Sequence, residues 1–594
     1  MEGGWRRLSR AVGPGGRRQF CTSLAAAGLA LLASAAPASA AEEILGAASY
    51  RDMTAYSCRT DAIPIHPGQN LNLVGVTKTC PNAQKLSGPG DTSVFAQGST
   101  AEGYVTRFRP SMVEIKPSGK LVTPKVWDLH LHHVVWLKDG PTFASGEEKT
   151  EVKLPQGYGL EARGDETWGL NYMIHALTAE EGRQVYITWE IDWVPKTNPP
   201  RTDIQPSRVR WLDVAGFPQI YPVFDAERGF DLDGDGRYVF PDEVPTDPAA
   251  PGYEERQKIS ESRTWTVPER GVTLVGGAGH LHPGGLHVDL EVARDGPDPG
   301  TVDGDDPSEV RPLFRSDARY YDRAGAVSWD LSMETTRPGW RISLEGGDTV
   351  SISTTYDVKR ASWYESMGIL PLLVTNSHDP AARDPFADEA AVRAMYEEGG
   401  ILTHGRLPEN IDKKARKGLK LPDPRRLRSK GRRLPSLGIE IEGFGYSVGG
   451  FSAIRGFPTR LMRPPTIKPG ETVTFTNLDA LPTMPDTEQA WHSITSCKAP
   501  CNRGSGIGAP LARGPIKFDS GQLGFDGDEI DLSGQTSIGV TTDSNTYTTP
   551  PLAEPGKTYT YFCRIHPFMR GSIRVKGPKR VNGPLRRPAG GRAP

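Results

Sequence analysis

Apolar and polar residues alternate with a period of two along much of this chain. Val185–Val194 reads Val-Tyr-Ile-Thr-Trp-Glu-Ile-Asp-Trp-Val, and Leu286–Val292 reads Leu-His-Val-Asp-Leu-Glu-Val. That is the pattern of strands with one face in a core. Asp348–Val358 is rich in β-formers, and no strand–helix–strand rhythm appears anywhere. Only two or three stretches could form long helices. At 594 residues the chain exceeds one hydrophobic core, and three folded units are expected. The prediction is an all-β protein. Two antiparallel β-sandwiches span 41–215 and 216–375, a Pro-containing linker spans 376–436, and a third sandwich spans 437–576. A disordered basic tail follows at 577–594.

Composition changes this picture little: 67 Gly and 52 Pro suit a turn-rich β protein. The first 40 residues stand apart. Arg17-Arg18-Gln19-Phe20 precedes an Ala-rich apolar run, Leu24 to Ala36, and Ala38-Ser39-Ala40 supplies small residues for cleavage. Paired arginines followed by x-Phe resemble the twin-arginine signal, which implies an exported protein. Removing residues 1–40 takes away five Arg and one Glu, leaving 65 basic and 71 acidic residues. A mildly acidic chain with no concentrated basic face is not expected to bind nucleic acid. No segment of the mature chain is apolar enough to be read as a membrane span. The eleven Lys and Arg within 413–433 read as a solvated, self-repelling linker.

Cysteine arithmetic brings in the first chemistry. With Cys21 in the export segment, Cys58 with Cys80 and Cys497 with Cys501 are natural disulfide pairs, which leaves Cys563. Its surroundings read Tyr-Phe-Cys563-Arg-Ile-His566-Pro-Phe-Met569-Arg-Gly, after a predicted strand Thr558–Phe562. A thiolate, an imidazole and a thioether on one tight loop are the donors of a type 1 copper site. His492 is the histidine between the predicted strand Glu471–Asn477 and that loop, and is expected as the second imidazole. The passage from His566 to Gly571 resembles the amicyanin and plastocyanin branch of the cupredoxins. The resemblance implies a Greek-key β-sandwich that transfers single electrons to or from a redox partner. One departure is the long stretch from Leu478 to Trp491 ahead of the first ligand. Multicopper oxidases and copper nitrite reductases place a histidine beside the blue-copper cysteine; here the neighbours are Phe562 and Arg564.

Six of the twelve histidines fall in two dense groups, Asp128-Leu-His130-Leu-His132-His133 and Gly279-His280-Leu-His282-Pro-Gly-Gly-Leu-His287. Residues two apart on a strand point the same way, so His280 and His282 can grip one metal. By the same rule His130 pairs with His132, and His133 joins them only through a bulge or a strand end. His287 is expected to face solvent; His66, His378 and His404 are read as ordinary histidines. The order His132-His133, His175, His280-x-His282, Met367 resembles the copper type II, ascorbate-dependent monooxygenases. That resemblance implies two further coppers. His132, His133 and His175 would form an electron-transfer site in one sandwich. His280, His282 and Met367 would form the oxygen-activating catalytic site in the next, acting on a small-molecule substrate. The competing reading is an electron carrier or copper-handling protein whose front sandwiches are structural.

One more motif is specific. Asp231-Leu-Asp233-Gly-Asp235-Gly236-Arg237 matches an EF-hand calcium loop at its first, third, fifth and sixth positions. Arg237 supplies the main-chain position and Asp242 the twelfth, with Glu243 as a substitute. Without flanking helices, this reads as a structural calcium loop.

Overall fold

A computed structural model describes residues 49–215, 222–226, 231–243, 263–294, 310–321, 325–326, 328–359, 363–411, 438–452, 464–485, 488–498, 517–525, 536–537, 542–566 and 568–578. Residues 1–40, the whole basic run 413–433, Cys501 and residues 579–594 lie outside them. The described residues are nearly all β, as the alternating pattern predicts, with one α-helix, Glu389–Glu398.

The two longest strands, Glu102–Ile115 and Arg183–Pro195, pair antiparallel over most of their length. Alternate residues Val185, Ile187, Trp189, Ile191 and Trp193 are buried, while their neighbours are mostly less so. That single register puts the whole apolar set of the strand into one core. A second sheet, built on Asn72–Lys78, Thr167–Ala176, Leu129–Leu137 and Pro141–Ser145, completes the first sandwich. The Cys58–Cys80 disulfide forms as expected.

The expected boundary at 215/216 does not separate two sheets. Gln205–Arg210 pairs with Leu372–Thr375, which pairs in turn with Val272–Gly277. One twelve-stranded sheet therefore runs from the first sandwich into the second. The second sandwich closes with the seven-stranded sheet around Gly285–Ala293 and Thr349–Asp357. His287 lies on that sheet and is buried, 3.4 Å from Asp289 and 3.8 Å from Asp317, so the solvent-facing expectation is corrected. Its partners are acidic residues on its own and the paired strand, which the alternation alone does not reveal.

The linker also starts later than expected. Residues 376–411 belong to the folded body: the helix Glu389–Glu398 buries Val392 in the core of the second sandwich, and Ile401–Leu402 adds a strand to its sheet. An amphipathic helix with one buried valine leaves little signal in a charged stretch, so the sequence reads as linker.

The C-terminal unit consists of a four-stranded sheet around Gly438–Glu442 and Thr474–Asn477, and a five-stranded sheet around Thr558–Phe562 and Met569–Val575. Its core is continuous with that of the first sandwich, and Thr536–Ser537 adds a strand to the front sheet beside Leu73 and Val74. Residues from Gly46 onward accordingly form one compact unit. No helix among the described residues is long and apolar enough to cross a membrane.

Candidate metal centres

The strands Thr558–Phe562 and Met569–Val575 pair as a hairpin, and the loop between them carries Cys563 and His566. Thr495 lies opposite Phe562, which brings His492 and Ser493 alongside that loop. The Cys563 sulfur accepts the backbone N–H groups of Ser493 and His566, each at 3.3 Å. It lies 3.8 Å from Nδ1 of His492 and 3.8 Å from Nδ1 of His566, and those two nitrogens are 3.2 Å apart. Among the described residues, this is the one group of three His, Cys, Asp or Glu ligand atoms that all lie within 4.8 Å of one another. Met569 is buried beside it. Its N–H donates to the His566 carbonyl at 2.8 Å, and its own carbonyl accepts from the Cys563 N–H at 3.2 Å.

Each imidazole is fixed from its far side. His492 Nε2 lies 2.9 Å from Asp479 Oδ2, and His566 Nε2 lies 2.7 Å from the Gly68 carbonyl oxygen. Asp479 also accepts the N–H groups of Gly443 and Phe444, placing the Phe444 ring against both histidines. With Nε2 held and Nδ1 turned toward the sulfur, both rings are oriented as ligands. Burial would raise the Cys563 thiol, but the two imidazoles hold it well below its usual range. Burial would lower His492, yet Asp479 and Cys563 raise it to about 9; burial would raise Asp479, yet His492 holds it at about 2. A soft thiolate with two oriented imidazoles fits copper.

The front histidines meet in one place. Leu129–Leu137 runs antiparallel to Thr167–Ala176, with His130 directly opposite His175. The pairing skips His132: His133 faces Met173, and Leu131 faces Ile174. This bulge brings the adjacent rings together, with the Nδ1 atoms of His132 and His133 3.2 Å apart. From the second sandwich, the His282 ring lies 4.3 Å from that of His132 and 5.2 Å from that of His280. His175 lies 4.6 Å from His132 and 4.9 Å from His130. All six are buried, and Trp329 packs on His130, His132 and His282. The expected triads, one in each sandwich, are thus a single cluster across the junction.

Three of these six rings are anchored from Nδ1: His130 on the Val126 carbonyl at 3.0 Å, His280 on Glu148 at 3.0 Å, and His282 on the Glu365 carbonyl. The Nε2 atoms of His130, His175, His280 and His282 are buried with no hydrogen-bond partner. His133 differs, because its Nε2 faces Asn72 at 2.9 Å and Asn171 at 3.2 Å. Burial holds His130 and His133 down to about 3 and, with neighbouring imidazoles, pushes His132, His175 and His282 far below their usual value. Neutral imidazole is the ligand form. After burial, the largest influences on His175 are His130 and His566, so the two centres lie within electrostatic reach.

Met367 is tied to His282 through Tyr356. The tyrosine hydroxyl accepts N–H groups from both residues and donates to the Met367 carbonyl at 2.7 Å. The Met367 side chain packs with Met173 and Ile369. Glu365 adopts a left-handed φ of 55° and touches three units: His282 through its carbonyl, and His132 (at 4.0 Å) and Gln522 through its carboxylate. A non-glycine residue held there stores backbone strain.

In the acidic loop, side chains of Asp231, Asp233 and Asp235 accept the N–H groups of Gly236, Asp235 and Arg237. Asp242, expected as the twelfth ligand, instead pairs with Arg263 at 3.0 Å. Glu243 turns back over the loop, accepting from Leu232 and Val239. The pull of the Arg263 guanidinium decides between two adjacent carboxylates that spacing alone cannot separate.

Sequence reasoning missed Gly68, Asp479, Glu148, Glu365 and Trp329. Their roles come from tertiary contacts, and only Asp479, a carboxylate upstream of His492, had a signal in the general need of ligating imidazoles for a carboxylate partner.

No protein-family model and no curated protein matches the chain. Among solved structures it is similar to a reduced Cu(I) amicyanin variant, at 16% identity and TM-score 0.12, covering 27% of this chain and 94% of that one. It is similar to a copper-containing nitrite reductase from Thermus scotoductus at 13% identity and TM-score 0.15, covering 51% of this chain and 55% of that one. A third similarity is to the infectious bursal disease virus VP2 subviral particle, at 12% identity and TM-score 0.17, covering 57% and 76%.

Because Asp479 orients His492, Asp479→Ala should weaken copper binding about 10- to 100-fold. A copper titration followed in visible absorption measures this; unchanged affinity would show that the carboxylate does not hold the ring.

Proposed function

We propose that this chain is an exported copper redox protein. Cys563, His492, His566 and Met569 hold a type 1 copper ion, which supplies a one-electron couple. The observation that carries this reading is the buried thiolate faced by two imidazoles, each fixed through its opposite nitrogen. Twin arginines in the first 40 residues support export. Cys563→Ser should remove the intense visible band and one copper per chain while the fold is retained. A variant that stays blue would exclude Cys563 as the ligand.

The front cluster is the second copper-binding place. Four buried nitrogens with no partner support it. In the enzymatic form of this reading, His280, His282 and Met367 take part in reductant-dependent oxygen activation on a small-molecule substrate. Tyr356 binds the backbones of His282 and Met367, which keeps that methionine near the cluster and supports this form of the reading. Met367→Ile roughly conserves volume and should cost under about 1.5 kcal/mol. It should abolish oxygen uptake with the fold intact; uptake at the wild-type rate would remove Met367 from the site.

Calcium in the loop Asp231–Glu243 belongs to the same proposal, since crowded carboxylates repel one another without a cation. Adding calcium to chelator-washed protein should raise the melting temperature of the wild type but not of Asp231→Ala/Asp233→Ala. Equal response in both would refute the site.

A further inference from the structure

We propose that the type 1 centre exchanges electrons inward, through Gly68, Gln69 and Ala176 to His175, so that its redox partner is the histidine cluster of the same chain. The inference rests on the reading that both places hold copper.

Its first support is burial. Cys563, His492, His566 and Met569 are each at most 1% exposed, so no ligand edge is open to an outside protein. The second support is connection. His566 Nε2 donates to the Gly68 carbonyl at 2.7 Å, and the next carbonyl, that of Gln69, accepts the Ala176 N–H at 2.9 Å. Ala176 follows His175, which stands opposite His130. Two hydrogen bonds and a short covalent run therefore link a type 1 ligand to the cluster inside one buried seam. The electrostatic influence of His566 on His175 agrees with this closeness.

Two other neighbours of the thiolate lead elsewhere. Phe562 sits in the hairpin strand opposite Thr495, and Arg564 donates to Ser493 and lies 3.5 Å from Asp519. Neither contact reaches a front histidine. At Gly68 the fit is tight: φ is +70°, and a Cβ would sit 2.0 Å from the Phe444 ring. Any side chain there must displace the Phe444 ring, which packs on His566, and strain the backbone that carries its acceptor.

The transfer is balanced by copper at both ends. One electron leaves Cu(I) at the thiolate site and reduces Cu(II) at the cluster; no covalent bond forms or breaks, and no proton need move. A small one-electron reductant reloads the first site.

The test uses the full chain loaded with copper. Flash injection of less than one electron per chain from a photosensitiser bleaches the blue band, and its recovery is followed under anaerobic conditions. The route predicts first-order recovery at a rate independent of protein concentration. Recovery should slow several-fold in blue molecules of Gly68→Ala and return in Gly68→Ala/Phe444→Ala, where the ring no longer clashes. A rate that rises with protein concentration, or no recovery with copper in the cluster, would overturn the inward route. So would a Gly68→Ala rate equal to wild type. A wild type with no blue band would instead overturn the copper reading beneath it.

Discussion

Four imidazole nitrogens, the Nε2 atoms of His130, His175, His280 and His282, are buried inside this chain without a hydrogen-bond partner. Stranding one buried polar group costs on the order of 1–3 kcal/mol, so four cost roughly 4–12, comparable to the whole stability of a typical domain at about 5–15 kcal/mol. Ordered water could offset part of that cost. Three of the opposite nitrogens favour a metal, because they rest on a fully buried carboxylate, Glu148, and on the carbonyls of Val126 and Glu365. That is the outer-shell arrangement that orients ligating histidines. The junction of the two front sandwiches is organised around this demand. The sheet runs unbroken across it, Glu148 of the first sandwich holds His280 of the second, and Glu365 is bent into a strained conformation to reach both sides.

The C-terminal unit is bound into the same body by similar means. Its apolar core is continuous with that of the first sandwich. The outer nitrogen of His566 donates to the carbonyl of Gly68, nearly five hundred residues earlier in the chain. One contact thereby does two things: it orients a ligand at the thiolate site and closes that site against the outside.

Much of this was legible in the residues. Strict alternation in Val185–Val194 located a long strand, and an unpaired Cys563 inside Cys-x-x-His-x-x-Met located the thiolate site with both of its histidines. The need for a bulge at His132-His133 was also readable, since adjacent residues on a regular strand diverge, and the bulge lies there. What was not legible depends on distant contacts. Spacing placed the histidine groups in separate sandwiches, because nothing local reports that a sheet continues across 215/216. It put Asp242 ahead of Glu243 for the acidic loop, because Arg263, which takes Asp242, is out of sequence range. It gave no sign of Asn72 and Asn171, which hold the outer nitrogen of His133.

The central claim is that this body holds copper in two places, one at a thiolate and one at a histidine cluster shared between sandwiches. Anomalous diffraction at the copper edge, on crystals of the copper-loaded full chain, tests it most directly. The account predicts one peak between Cys563, His492 and His566, and further copper among the Nε2 atoms of His130, His175, His280 and His282. A single peak at the thiolate, with water among the front histidines, would contradict it.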